Sequence, residues 1–349
     1  MHRKTHGLEK IQVQLTTVLA LGGVYFGLWA AVRSWDPQGP IVFFPTGGYT
    51  QLLIFAVVVW LLAVVCALLT VSARPAGTVL VLLFAAAGFS LKSPPIRSLL
   101  WLRDTAVRGL YGELMLEVAA LAAVLLVAVL LARWVRKLVA AIRPTWAWRD
   151  PLANLTDEQR RTVQKAFAEE QKKASAGGEA MRLFLMGLPA AVLYTFGPAG
   201  SGRSARKLSR AETWSRTAVC LATAGAIALV LLLLFMRSAD RGQILAALAA
   251  SLGIGMLLAH QLFPAPVGLL ACILPFAMAL VLYALAGLSA VATGPLAWTE
   301  VPHYARALPI DWLTAGGGGA LLGYWISARI HEIRILEKAH HDEKEKEDG

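Results

Sequence analysis

A chain of 349 residues that is 57% hydrophobic and only 16% charged lies outside the soluble range of about 45–50% apolar and about 25% charged residues. A water-soluble globular domain is excluded, and an all-α, polytopic integral membrane protein is expected. The net charge of +11 does not argue for nucleic acid, because the basic residues flank apolar runs and lack interleaved aromatic rings on which bases stack. Cys66, Cys220 and Cys272 each stand in a separate apolar run, which reads as three buried thiols. The spacing calls for neither disulfide, metal nor cofactor.

The basic start (Arg3, Lys4, Lys10) precedes an apolar run over 12–32. That run is nearer the roughly 20 residues needed to cross a bilayer than the shorter core of a signal peptide, so an uncleaved first span is expected. The Trp-, Pro-, Phe- and Gly-rich stretch 33–50, with Asp36, predicts an interfacial loop. Spans follow at 51–71 and, after Arg74 and Pro75, at 77–89, the shortest of the set.

Between 92 and 113, Leu99, Leu102, Ala106 and Leu110 recur at helical spacing opposite Arg97, Trp101, Asp104 and Arg108. This pattern predicts an amphipathic helix lying on the membrane surface. The fourth span covers 114–134.

The charged segment 135–216 divides this first membrane half (1–134) from a second (217–328). Thr156 and Gln159 form a capping-box pattern opening a polar helix over 154–176 whose apolar stripe is too thin for an independent domain. This cytoplasmic insertion is the expected docking surface for a protein partner, as is the charged tail 329–349, itself expected to be a frayed helix. The apolar stretch 183–198, broken by Gly187 and Pro189, is expected to re-enter the membrane or lie on its surface. If it spanned, Arg203, Arg206, Lys207, Arg210 and Arg216 would fall outside, against the positive-inside bias.

The second half has spans at 217–236, 243–262, 267–288 and 312–328, about eight in all. With both termini inside, 25 of the 33 Lys and Arg residues fall on the inner side and 8 on the outer. The expected location is therefore a bacterial inner membrane with cytoplasmic termini.

Candidate chemistry is sparse. Gly197 to Ser204 resembles a phosphate-cradling P-loop but carries Arg203 in place of the lysine, and it reads as a flexible connector. His331-Glu332 lacks the second histidine of HExxH, and the single Glu337/His340 pair sits in a charged tail. Glu117 and His260, near span ends, are expected to pair locally or snorkel rather than relay protons. Gly319 and Gly323 have the small-xxx-small spacing that lets helices pack closely.

The outward loops gather Asp36, Arg97, Arg103, Asp104, Arg108, Glu113, Glu300, His303, Arg306 and Asp311. Arg97, Arg103, Arg108 and Arg306 are candidates for lipid-headgroup binding, and Glu300 and His303 are candidates for acid or base catalysis on a lipid phosphate. Two functions follow. The first is a non-enzymatic subunit or assembly partner of an envelope or transport complex. The alternative is a membrane enzyme or flippase acting on a lipid or polyprenyl phosphate at the outward face.

Overall fold

In hydrocarbon every backbone N–H and C=O must find a partner within the protein, so apolar runs of this length fold as helices. The computed structural model describes residues 2–33, 39–73, 75–96, 99, 107–146, 210–265, 267–289 and 301–347. Among them all regular structure is helical. The proposed polar helix 154–176, the apolar stretch 183–198 and the glycine-rich run 197–204 lie outside the described residues. So do residues 97, 98 and 100–106 of the amphipathic segment, including Arg97, Arg103 and Asp104.

Helix α1 (His2–Gly23) continues through a π-helical stretch (Val24–Leu28) and a last α turn (Trp29–Val32). It is followed by α2 (Tyr49–Leu69), α3 (Pro75–Lys92) and α4 (Val107–Ile142). The second half holds α5 (Arg210–Phe235), α6 (Arg241–Leu262) and α7 (Ile273–Ser289), the last led by a 3-10 stretch (Gly268–Cys272). A short α turn (Pro309–Asp311) and a second π-helical stretch (Trp312–Gly316) then run without a break into α8 (Gly317–Glu347). Seven helices are long and apolar enough to cross a membrane. The eighth expected span, 312–328, is helical throughout and continues into the charged tail.

Contacts fix which helix ends lie together. Gln12 of α1 donates to Leu69 O (2.6 Å), and Arg136 near the end of α4 donates to Thr70 O (2.5 Å) and Ala73 O (2.6 Å). The start of α1, the α2–α3 turn and the end of α4 therefore share one end of the bundle. His260 and His331 stack edge to face at the end of α6 and within α8. At the opposite end, the finish of α3 meets the starts of α6 and of the Pro309 turn. We call these the terminal end and the loop end.

The span expected to be shortest is the most enclosed. Helix α3 packs against α1, α2, the Trp312–Gly316 stretch and α8, and Val79 to Leu83, Ala85, Ala86 and Phe89 are buried. A Cβ on its Gly88 would stand 2.8 Å from Val24 Cγ1. Lipid tails are as apolar as leucine, so helices associate by close packing rather than by escape from water. The α6–α8 seam is built this way: a Cβ at Gly319 or Gly323 would collide with the carbonyl oxygen of Ala249 or Gly253. On its other side α6 meets α5, where a Cβ on Gly255 would lie 2.7 Å from Ala224 O. The spacing of Gly319 and Gly323 thus marks a true close approach.

The outward faces carry exposed Leu19, Phe26, Leu61, Leu126, Val230, Leu233 and Leu288. Water would not tolerate so continuous an apolar surface, whereas lipid does. The stretch 39–48 differs from the interfacial loop expected of it: Ile41, Val42 and Phe43 are buried and Phe43 packs on Phe55. Its backbone can enter because side chains satisfy it, Ser93 Oγ accepting from Ile41 N (2.9 Å) and Glu117 Oε2 from Phe43 N (2.8 Å). Gly47, at φ +68°, supplies the left-handed residue that lets Gly48 N donate to Phe43 O (2.7 Å).

Candidate functional site

The residues with chemical potential gather at the loop end around 301–311. Pro302 and Pro309 bracket this segment, and between them the chain makes a single 3-10 turn (His303–Ala305). Four side chains hold its backbone. Tyr111 Oη donates to Ala305 O (2.9 Å) and Tyr283 Oη to Ala307 O (2.5 Å). Asp311 Oδ2 accepts from Leu308 N (2.7 Å), and Arg306 Nε donates to Val301 O (3.3 Å). Ala305, Ala307 and Leu308 are fully buried as a result.

Asp311 is the anchor of this end. Arg241 donates from Nη1 to Asp311 Oδ2 (2.6 Å) and from Nη2 to Asp311 Oδ1 (2.5 Å), a bidentate pair. The same Nη2 reaches Ser90 O (2.8 Å), and Ser90 Oγ donates to Asp311 Oδ1. One node therefore joins the end of α3, the start of α6 and the start of the last helical run. The sequence placed Asp311 among outward-loop groups open to a ligand; in the fold its carboxylate is fully engaged and buried. Arg241 and Ser90 were not legible as its partners.

Two further ionisable groups sit inside the bundle. Glu117 is buried, and its Oε2 accepts from the backbone N–H of both Phe43 and Phe44. At the terminal end His260 Nε2 lies 3.0 Å from Ala265 O and Nδ1 lies 2.8 Å from Ser327 Oγ. A carbonyl can only accept, so Nε2 carries the proton and the Ser327 hydroxyl donates to Nδ1. Both groups pair locally and neither snorkels, since neither reaches the surface.

The remaining candidates divide as follows. His303 is exposed, Arg306 is half-buried beside it, and Arg108 is exposed at the start of α4. Glu300, Arg97, Arg103 and Asp36 lie outside the described residues. Arg237, just beyond the end of α5, is near His303 and Arg306, a neighbourhood that only the fold creates. Partial burial, then Arg306, then Arg237 lower the His303 imidazole below its ordinary value. Three nitrogen-bearing side chains thus lie near enough to act on one another electrostatically. Among the described residues none of them has an acidic partner, and no group of three His, Cys, Asp or Glu is placed to hold a metal ion.

Fold and site together define an all-helical, multi-pass membrane protein. No protein-family model matches the chain, and neither a curated protein nor a solved structure matches it.

Proposed function

We propose that this chain is a non-enzymatic membrane component, a subunit or assembly partner of an envelope or transport complex, seated in a bacterial inner membrane with both termini in the cytoplasm. One observation carries the reading. Ionisable groups inside the described bundle tie segments together: Arg241 with Asp311 and Ser90, Glu117 through Oε2 with the 39–48 stretch while its Oε1 has no partner among the described residues, and His260 with Ser327. Ionisable groups inside a membrane also mark substrate and ion pathways; the clasping of helix ends and loop backbone is what favours the structural reading here.

Helix lengths support a docking role at the terminal end. The 36 residues of α4 extend about 54 Å and the 31 of α8 about 46 Å, against a hydrocarbon core of about 30 Å. Both overshoot the bilayer, and α8 does so with the charged run 329–347. The bias of basic residues toward that end favours its being cytoplasmic. Segment 154–176 and this tail are the proposed partner-binding surfaces.

The test is cross-linking in native membranes followed by purification in mild detergent. The intact chain should carry a protein partner in fixed ratio, and a chain lacking 154–176 should lose it while keeping its thermal midpoint. If the intact chain purifies alone, and joint substitution of Glu300, His303, Arg97 and Arg108 abolishes its cellular function, the enzyme or flippase reading replaces this one.

A further inference from the structure

Among the described residues, a basic group forms where the end of α5 meets the His303 turn. We propose that Arg237, His303 and Arg306 bind the phosphate of an anionic membrane lipid whose acyl chains lie along the last turns of α5.

The guanidinium groups are positioned, and among the described residues no carboxylate pairs with them. Arg237 Nε donates to Leu234 O (3.0 Å) and Arg306 Nε to Val301 O (3.3 Å). Each side chain is thereby fixed to its own backbone with both η nitrogens left over. A planar guanidinium held in this way presents a fork matched to two phosphate oxygens. The neighbouring carboxylates are engaged elsewhere, Asp240 Oδ2 with the Ser238 hydroxyl (3.0 Å) and Asp311 with Arg241. Among the described residues, then, the three form a basic group without a carboxylate partner at the end of a membrane-spanning helix.

His303 responds to this group: partial burial first, then Arg306 and Arg237, hold its imidazole below its ordinary protonation range. A phosphate placed among the three would remove that repulsion and let the imidazole donate as well.

The choice of a lipid over a free anion rests on the surface beneath. Val230, Leu233, Leu234 and Phe235, the last turns of α5 before Arg237, are exposed and apolar. Basic heads above an aliphatic flank match an amphiphile with a charged head and two chains; a soluble phosphate would use only the first. The site goes beyond the subunit reading and stands whether or not a protein partner exists, since it asks nothing of 154–176.

The experiment uses the full chain in neutral detergent and native mass spectrometry. Phosphatidylglycerol and phosphatidylcholine are titrated separately, with and without excess inorganic phosphate. Phosphatidylglycerol should bind saturably and more tightly than phosphatidylcholine, and inorganic phosphate should not displace it. The double variant R237Q/R306Q should lose about tenfold or more of that affinity, since each guanidinium supplies charge-assisted hydrogen bonds to the phosphate. R143Q, at the terminal end, should bind as the parent does. Should the double variant misfold, R237Q alone, at an exposed side chain, should still weaken binding several-fold. Equal affinity for the two lipids, or unchanged binding in the arginine variants, overturns the proposal. So does full displacement by inorganic phosphate, which would make the site one for a free anion.

Discussion

Arg241 and Asp311 meet where the carboxylate has no solvent contact and the guanidinium side chain keeps 13%. Removing one partner of such a pair strands the other charge, so D311A should lower stability by about 3–5 kcal/mol, read as a fall in the thermal midpoint in detergent. S90A removes one neutral donor and should cost nearer 1 kcal/mol. The double variant R241M/D311L, which leaves no charge behind, should recover much of the loss. A midpoint for D311A equal to the parent's would show the pair to be idle. At His303 the sign runs differently. Its imidazole is depressed in the fold by burial, Arg306 and Arg237, so its proton binds more weakly in the folded chain. Whatever it contributes is present above the ordinary histidine value of about 6.5 and is lost as pH falls from there through the lowered value. Histidine NMR should show this titration shifted down in the parent and moved back up in R306Q. The ion pair was hidden in the sequence because its members are 70 residues apart and only tertiary packing joins them. Asp311 by itself looked like any polar residue of an outward loop.

Helix packing carries its own tests. The α6–α8 seam brings the backbone at Gly319 and Gly323 against the carbonyls of Ala249 and Gly253, and backbone cannot give way as a side chain can. Gly323→Leu should therefore cost more than about 3 kcal/mol, beyond ordinary overpacking, and abolish a monodisperse peak in size-exclusion chromatography. Gly27→Ala, whose Cβ meets nothing within 4 Å, should leave that peak unchanged. A G323L chain that elutes as the parent does would contradict the seam. This contact was readable in advance, since small residues four apart have that meaning in a span. The centrality of α3 was not. Small residues such as Gly77, Ala85, Ala86 and Gly88 shorten its apparent apolar run, yet they are what let its neighbours approach. The 39–48 stretch was misjudged for a related reason. Its prolines and glycines signal irregular backbone, but not the buried carboxylate of Glu117 that satisfies it.

For the whole molecule, the seven long apolar helices among the described residues were legible from hydropathy, because apolar length is a local property of the chain. The distribution of basic residues adds an orientation that contact geometry cannot supply, and thiol labelling of intact cells tests it. The native Cys66, Cys220 and Cys272 are buried, which gives a low background. S72C, in the α2–α3 turn, should be shielded from a membrane-impermeant reagent and D240C, before α6, should react. Cysteines introduced at 178 and 205 should behave like S72C. Opposite protection at 178 and 205 would make 183–198 a full crossing, and reaction of S72C in place of D240C would invert the orientation. The function was the least legible level, since the described buried charges join segments to one another and carry no mark of a substrate.

The π-helical stretch Trp312–Gly316 has a consequence for how this architecture tolerates change. It stands between two contacts that one helical run must satisfy together, the Asp311 carboxylate on one side and the glycine row on the other. A π turn takes one more residue than an α turn, and each residue advances the helix by about 100°. The stretch thus sets the angular phase between ion pair and seam, much as a shim sets the angle between two fixed plates. Losing one residue there would leave a regular helix by every local measure while making the two contacts mutually exclusive. Length at this point is therefore more tightly constrained than residue type.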